Sequence, residues 1–123
     1  MRGRYFRSRN PERSPDQCRG GVEHIRLRSV FDPELKPDQR EKAMVSITTL
    51  AKSARQDKGC LSFNVYEEIH DKNSLFFFEE WASQADIDRH FQTKHVKDFM
   101  TKFPKWIVGS PQIQFYPCLD SNK

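Results

Sequence analysis

The stretch Leu75-Phe76-Phe77-Phe78-Glu79-Glu80-Trp81 constrains the fold more than any other part of this sequence. Its aromatic content favours a strand. Successive side chains of a strand point to opposite faces, which puts Leu75, Phe77 and Trp81 on one side and Phe76 and Phe78 on the other. Both sides are apolar, and a strand buried on both sides needs two covers. The fold must therefore pack one face of a sheet internally and cover the other with a second subunit or use it to line a ligand cavity.

The flanking patterns supply the remaining elements. Ile25, Leu27 and Ser29 alternate with Arg26 and Arg28 and close on Val30-Phe31, the period of a half-buried strand. Pro33 and Pro37 break the chain, and Asp38 with Glu41 reads as a capping box. Met44, Ile47, Leu50 or Ala51, and Ala54 then recur at helical spacing, so a helix is predicted from about Asp38 to Asp57, leaving through Gly59. Leu61, Phe63 and Val65 alternate with Ser62, Asn64 and Tyr66 in a second strand, which turns at Asp71-Lys72-Asn73 into the Phe-rich strand. Ser83 with Asp86 opens a short helix carrying Ala85, Ile87 and Phe91. Thr93 opens another with Val96, Phe99, Met100 and Phe103, which Pro104 ends. Ile113 and Phe115 alternate with Gln112, Gln114 and Tyr116 in a closing strand between Pro111 and Pro117. The order β-α-β-β-α-β is α+β and ferredoxin-like: a four-stranded antiparallel sheet with helices on one face. A homodimer is the commonest way to cover the other face.

With 123 residues the chain supports a single domain. Its formal net charge of +4 sits entirely in residues 1–19, where six Arg face only Glu12 and Asp16. Residues 1–21 read as a disordered Arg-rich tail, 22–118 as the domain and 119–123 as a short C-terminal tail. The domain is neutral by count, which argues against nucleic acid as its partner. No apolar run approaches the roughly 20 residues of a membrane span. The N-terminus lacks the apolar core of a secretory signal, and the three Cys, at 18, 60 and 118, show no paired spacing. Free thiols in a reducing compartment, the cytoplasm, are the expectation.

The runs GCLSFNVYEE (59–68), FFFEEW (76–81) and HFQTKHVKDF (90–99) resemble the antibiotic biosynthesis monooxygenase superfamily, the dimeric α/β-barrel group, and most closely its YgiN-like quinol monooxygenase branch. The resemblance covers roughly residues 22–118. It implies a ferredoxin-like homodimer with its sheets packed face to face and a hydrophobic pocket in each subunit. It also implies oxygenation of a small quinol or phenol by O2 without flavin, metal or haem. Haem degradation, known in other branches, would require an axial His where Met100 stands and an Asn in the Ile25-Arg26 stretch. Two further readings stay open. One is an isomerase of a small phosphorylated dicarbonyl signalling molecule, with Lys94 and Lys97 near the paired histidines. The other is a non-catalytic dimeric ligand-binding or stress-response protein.

Cofactor-free oxygenation needs a base, a dry pocket and a group that stabilises an anion. Histidine suits the base because its reference pKa near 6.5 leaves it largely neutral at physiological pH. His90 is the first candidate and His95 the second; a capping or exposed role is the plainer alternative for each. Trp81 is a candidate pocket wall whose indole N–H would orient a substrate oxygen, or else a core aromatic. Asn64 and Tyr66 share a face of the second strand and would meet a ligand oxygen if that face lines the cavity. Phe91 completes the candidate substrate contacts, although core or dimer packing accounts for it, as for Phe76 and Phe78, more readily. No cofactor-binding residue is expected. The four His lack H-E-x-x-H or i,i+4 spacing and an accompanying acidic triad, so no metal ligand set is expected either.

Overall fold

A computed structural model describes residues 26–118. The tails assigned to 1–21 and 119–123 lie outside the described residues, as does the start of the domain before Arg26. Strand β1 (Arg26–Phe31) is followed by a 3-10 turn (Pro37–Gln39), helix α1 (Arg40–Ala54), strands β2 (Cys60–Glu68) and β3 (Asp71–Trp81), helices α2 (Gln84–Phe91) and α3 (Lys94–Lys102), a second 3-10 turn (Phe103–Trp106) and strand β4 (Ile113–Cys118). The strands form one sheet in the order β2-β3-β1-β4, every pairing antiparallel. This is the ferredoxin-like α+β architecture, with the second helical unit split in two.

Alternation sets the two faces of the sheet. Along β3, Leu75, Phe77, Glu79 and Trp81 are buried, while Phe76, Phe78 and Glu80 between them are half-buried. The register pairs Phe31 with Phe77 and Val65 with Phe77. Phe77 therefore lies at the centre of the helix-covered face, 1% exposed. Its ring lies 5.1 Å from Phe31 and 6.1 Å from Phe103, and Phe103 stacks on Phe99 at 4.5 Å. Ala43, Ile47, Leu50, Ala51 and Ala54 form the buried stripe of α1 against this layer. Each large side chain buried this way contributes about 1.5–3 kcal/mol relative to exposure.

Two expectations about α1 are corrected. Pro37 starts a 3-10 turn that takes Asp38 inside it, so Gln39 is the residue before the helix and no side chain caps it. The helix also ends at Ala54 rather than Asp57. Arg55, Gln56 and Asp57 wind out through backbone bonds to Ala51, Ser53 and Ala54, and Gly59 completes the exit at φ +85°. The caps of the later helices match their sequence signals. Ser83 accepts from the Asp86 N–H at 3.2 Å and Thr93 accepts from the Val96 N–H at 3.4 Å. Cys60 is a free thiol. Among the described residues no helix is long and apolar enough to cross a membrane.

Candidate active site

Between the sheet and the helices lies a cavity of about 30 Å³. Its walls are mostly apolar, with Phe31, Phe63 and Phe77 from the strands and Phe91, Phe99 and Met100 from the helices; Ser29, Glu79 and His90 are the polar groups that line it. A space of this size holds a water or dioxygen molecule and not a phenol ring.

Glu79 reaches the cavity because it shares the phase of Leu75, Phe77 and Trp81 on β3. It is 8% exposed, and burial pushes its carboxyl up to about 7, only partly opposed by the hydrogen bond that the Trp81 indole N–H donates to it at 2.9 Å. Sequence reasoning missed Glu79, although its phase along the strand was the signal that places it on the core face. His90, at the end of α2, is 3% exposed. Its ring packs on Trp81 at 4.3 Å and against Phe63 and Phe91. Burial lowers its pKa, with the Asp57 carboxylate pulling the other way and His95 adding to the fall.

Asp57 is the second residue the sequence did not announce. Its Oδ2 lies 2.7 Å from His90 Nδ1 and 2.8 Å from His95 Nε2. The ligand atoms of these three residues fall within 4.8 Å of one another, close enough to be considered for a metal ion. Two ligands held tetrahedrally by bonds of about 2.0–2.1 Å stand about 3.3 Å apart. The observed contacts are shorter and have hydrogen-bond length. The cluster is one carboxylate oxygen shared by two imidazoles.

The residues singled out from the sequence take different places in the fold. His90 and Phe91 line the cavity, and His95 joins His90 through Asp57 without lining it. Trp81 is fully buried behind His90, its N–H already given to Glu79, so it supports the wall instead of presenting a donor to a ligand. Asn64 and Tyr66 pair with Phe78 and Phe76, and so stand on the opposite face of the sheet from the cavity; the alternation that buries Phe63 turns them away. Lys94 is bonded to Asp98 at 2.7 Å on an exposed helix face. Cys60, near Glu79 and Asp57, is raised to about 11 by burial first and by those two carboxylates next, which keeps it a thiol at neutral pH.

The described residues thus form a ferredoxin-like α+β domain in which a buried carboxyl and a buried imidazole face an apolar cavity. Residues 29–102 match the family described as antibiotic biosynthesis monooxygenase, and the chain belongs to that family. The uncharacterized protein sll1783 of Synechocystis sp. is 34% identical over 89 residues, which cover 72% of this chain and 60% of that protein. The chain thus spans less than two thirds of that relative's length. YcnE of Bacillus subtilis, whose name provisionally describes it as a monooxygenase, is 25% identical over 78 residues, covering 63% of this chain and 81% of YcnE. The crystal structure of a conserved protein from Methanosarcina mazei Go1 superposes with a TM-score of 0.72 at 23% identity, covering 75% of this chain and 91% of the other. That is a likeness of fold.

Proposed function

We propose that the protein is a quinol monooxygenase of the YgiN-like kind, a homodimer that oxygenates a small electron-rich phenol or quinol with O2 and uses no flavin, metal or haem. The observation that carries this reading is the apolar cavity in which His90 and Glu79 are the ionisable groups. A substrate O–H gives its proton to His90, and the electron pair of that bond stays on the oxygen. The electron-rich anion passes one electron to O2, and the two radicals join in a carbon–oxygen bond. The peroxide then takes a proton from Glu79. As the O–O bond breaks, the Glu79 carboxylate takes the hydrogen of the oxygenated carbon as a proton, and the electron pair of that C–H bond completes the new carbonyl. The departing hydroxide takes the proton held by His90, leaving one oxygen atom on the substrate and the other in water. Apolar walls favour the first step by keeping His90 neutral and hold water away from the anion. An aromatic ring enters only if the half-buried lining residues Phe91, Met100 and Ile113 move outward.

Isomerisation of a phosphorylated dicarbonyl would need a cation beside the base. Lys94 is held by Asp98 and Lys97 is exposed, and neither lines the cavity; oxygenation is therefore the better reading. Turnover of a panel of quinols and phenols under ¹⁸O2 tests it. One labelled atom in the product is expected, and a product yield unchanged under anaerobic conditions overturns it.

A further inference from the structure

We propose that Asp57 is the positioning residue of this site: it fixes His90 as the Nδ1–H tautomer, leaving the Nε2 lone pair for the cavity, and His95 holds that carboxylate instead of acting as a second base. The tautomer and the role of His95 follow from the hydrogen bonds alone; that Nε2 takes a substrate proton rests on the function proposed above.

A carboxylate only accepts, so the 2.7 Å contact between Asp57 Oδ2 and His90 Nδ1 puts a hydrogen on Nδ1. With that nitrogen committed, Nε2 of the neutral ring carries the lone pair. His95 contacts the same oxygen through Nε2 at 2.8 Å, which makes Nε2 a donor and leaves its lone pair on Nδ1. His95 does not line the cavity, and its side chain is 28% exposed where that of His90 is 3% exposed. Two donors arriving from α2 and α3 locate one oxygen more tightly than either alone.

The carboxylate is also held from behind. The Asp57 N–H donates to the Ala54 carbonyl at 3.0 Å, and its own carbonyl accepts from the Cys60 N–H at 3.1 Å. Gly59, two residues on, has φ +85°, and a Cβ there would lie 2.1 Å from Asp86 Cγ. The turn carrying Asp57 is thus wedged against α2. On the other side the Thr93 hydroxyl donates to the His90 carbonyl at 2.6 Å and accepts from the Val96 N–H, tying the corner between the two histidines. When His90 takes a proton from a substrate O–H, the new positive charge lies beside the Asp57 carboxyl group, and the electron pair of the broken bond remains on the substrate oxygen. This is the division of labour between an orienting carboxylate and a histidine base.

Long-range ¹⁵N–¹H correlation NMR of the histidine side chains in the full chain reads the tautomers directly. In the unsubstituted protein His90 is expected as Nδ1–H and His95 as Nε2–H, and Asp57→Asn is expected to release His90 from that state. On a quinol that the protein turns over, Asp57→Asn should lower kcat by about 10²- to 10⁴-fold with KM changed by less than about threefold. His95→Gln, whose amide N–H can replace the lost donor, should cost far less, about tenfold in kcat. Finding His90 as Nε2–H in the unsubstituted protein overturns the proposal whatever the variants do. So does a kcat untouched by Asp57→Asn, or a His95→Gln loss as large as that of His90→Gln. If no quinol or phenol is turned over at all, the proposed function fails, and the tautomer measurement still decides the role of Asp57.

Discussion

Glu79 is a carboxyl kept out of water on the face of a sheet that also buries Phe77 and Trp81, with one indole donor as its partner. Its pKa rises from 4.5 to about 7, so the folded protein binds this proton more tightly than the unfolded chain does. The stabilisation that protonation brings is full below pH 4.5 and is lost as pH rises to about 7. The loss amounts to about 3 kcal/mol, since each tenfold gain in proton affinity is worth about 1.4 kcal/mol. Urea denaturation at pH 5 and pH 8 should show the Glu79→Gln variant with a flatter pH dependence than the unsubstituted protein, by about 2–3 kcal/mol over that interval; equal slopes would remove Glu79 as the titrating group. Cys60 gives the opposite expectation for reactivity. With its thiol raised to about 11, alkylation by iodoacetamide at pH 7.5 should run well below the rate of a free cysteine, and Cys60→Ser should leave quinol turnover within about twofold. Both residues show how far a group's behaviour is set by burial and not by identity. The phase of β3 already placed Glu79 on the core face. Asp57 had no such marker, because a carboxylate in a polar helix exit reads as solvated, and its partners lie 33 and 38 positions away in the chain.

At the scale of elements, the local rules that worked were those whose partners lie within one turn. Ser83 and Thr93 cap α2 and α3 as their spacing to Asp86 and Val96 predicts; the two-residue period found β1, β2 and β4, and aromatic content found β3. The start of α1 went against the pattern because Pro37 favours a tight 3-10 turn, and that turn drew Asp38 in before it could act as a cap. Thr93 carries more than its cap, since it also holds the His90 carbonyl. Thr93→Val keeps its shape and removes both bonds, with an expected cost of about 1–2 kcal/mol by chemical denaturation. Gly59→Ala should cost more, about 2–4 kcal/mol, because it joins left-handed backbone strain to a collision with Asp86. A Gly59→Ala variant as stable as the original would mean that the turn relaxes freely, and would weaken the case that Asp57 is held rigidly.

At the scale of the molecule, the sheet has one face inside the cavity and core and one face outside it. The outer face carries Asn64, Tyr66, Phe76, Phe78 and Val30, and Phe76 and Phe78 stack with ring centroids 6.3 Å apart. The apolar character of both faces of β3 was legible in the sequence, and it is why a homodimer was expected. Which face would hold the site was not legible, because alternation separates two sets of residues without saying which set the helices cover. That ambiguity put Asn64 and Tyr66 among the candidate ligand contacts, whereas the register pairs them with Phe78 and Phe76 away from the cavity. The two roles part experimentally at Asn64, which is half-buried on the outer face. If that face meets a second copy, light scattering at micromolar concentration should give about twice the 14.6 kDa chain mass. Asn64→Lys should then weaken the association by about tenfold or more, since it places a charge where two sheets would close on each other. Asn64→Ala should leave KM for a quinol unchanged, because no bond to the substrate is removed. A 14.6 kDa particle for the unsubstituted protein overturns the dimer. A KM raised by Asn64→Ala in a protein that remains dimeric would instead place substrate on the outer face, and the cavity between sheet and helices would no longer be the site.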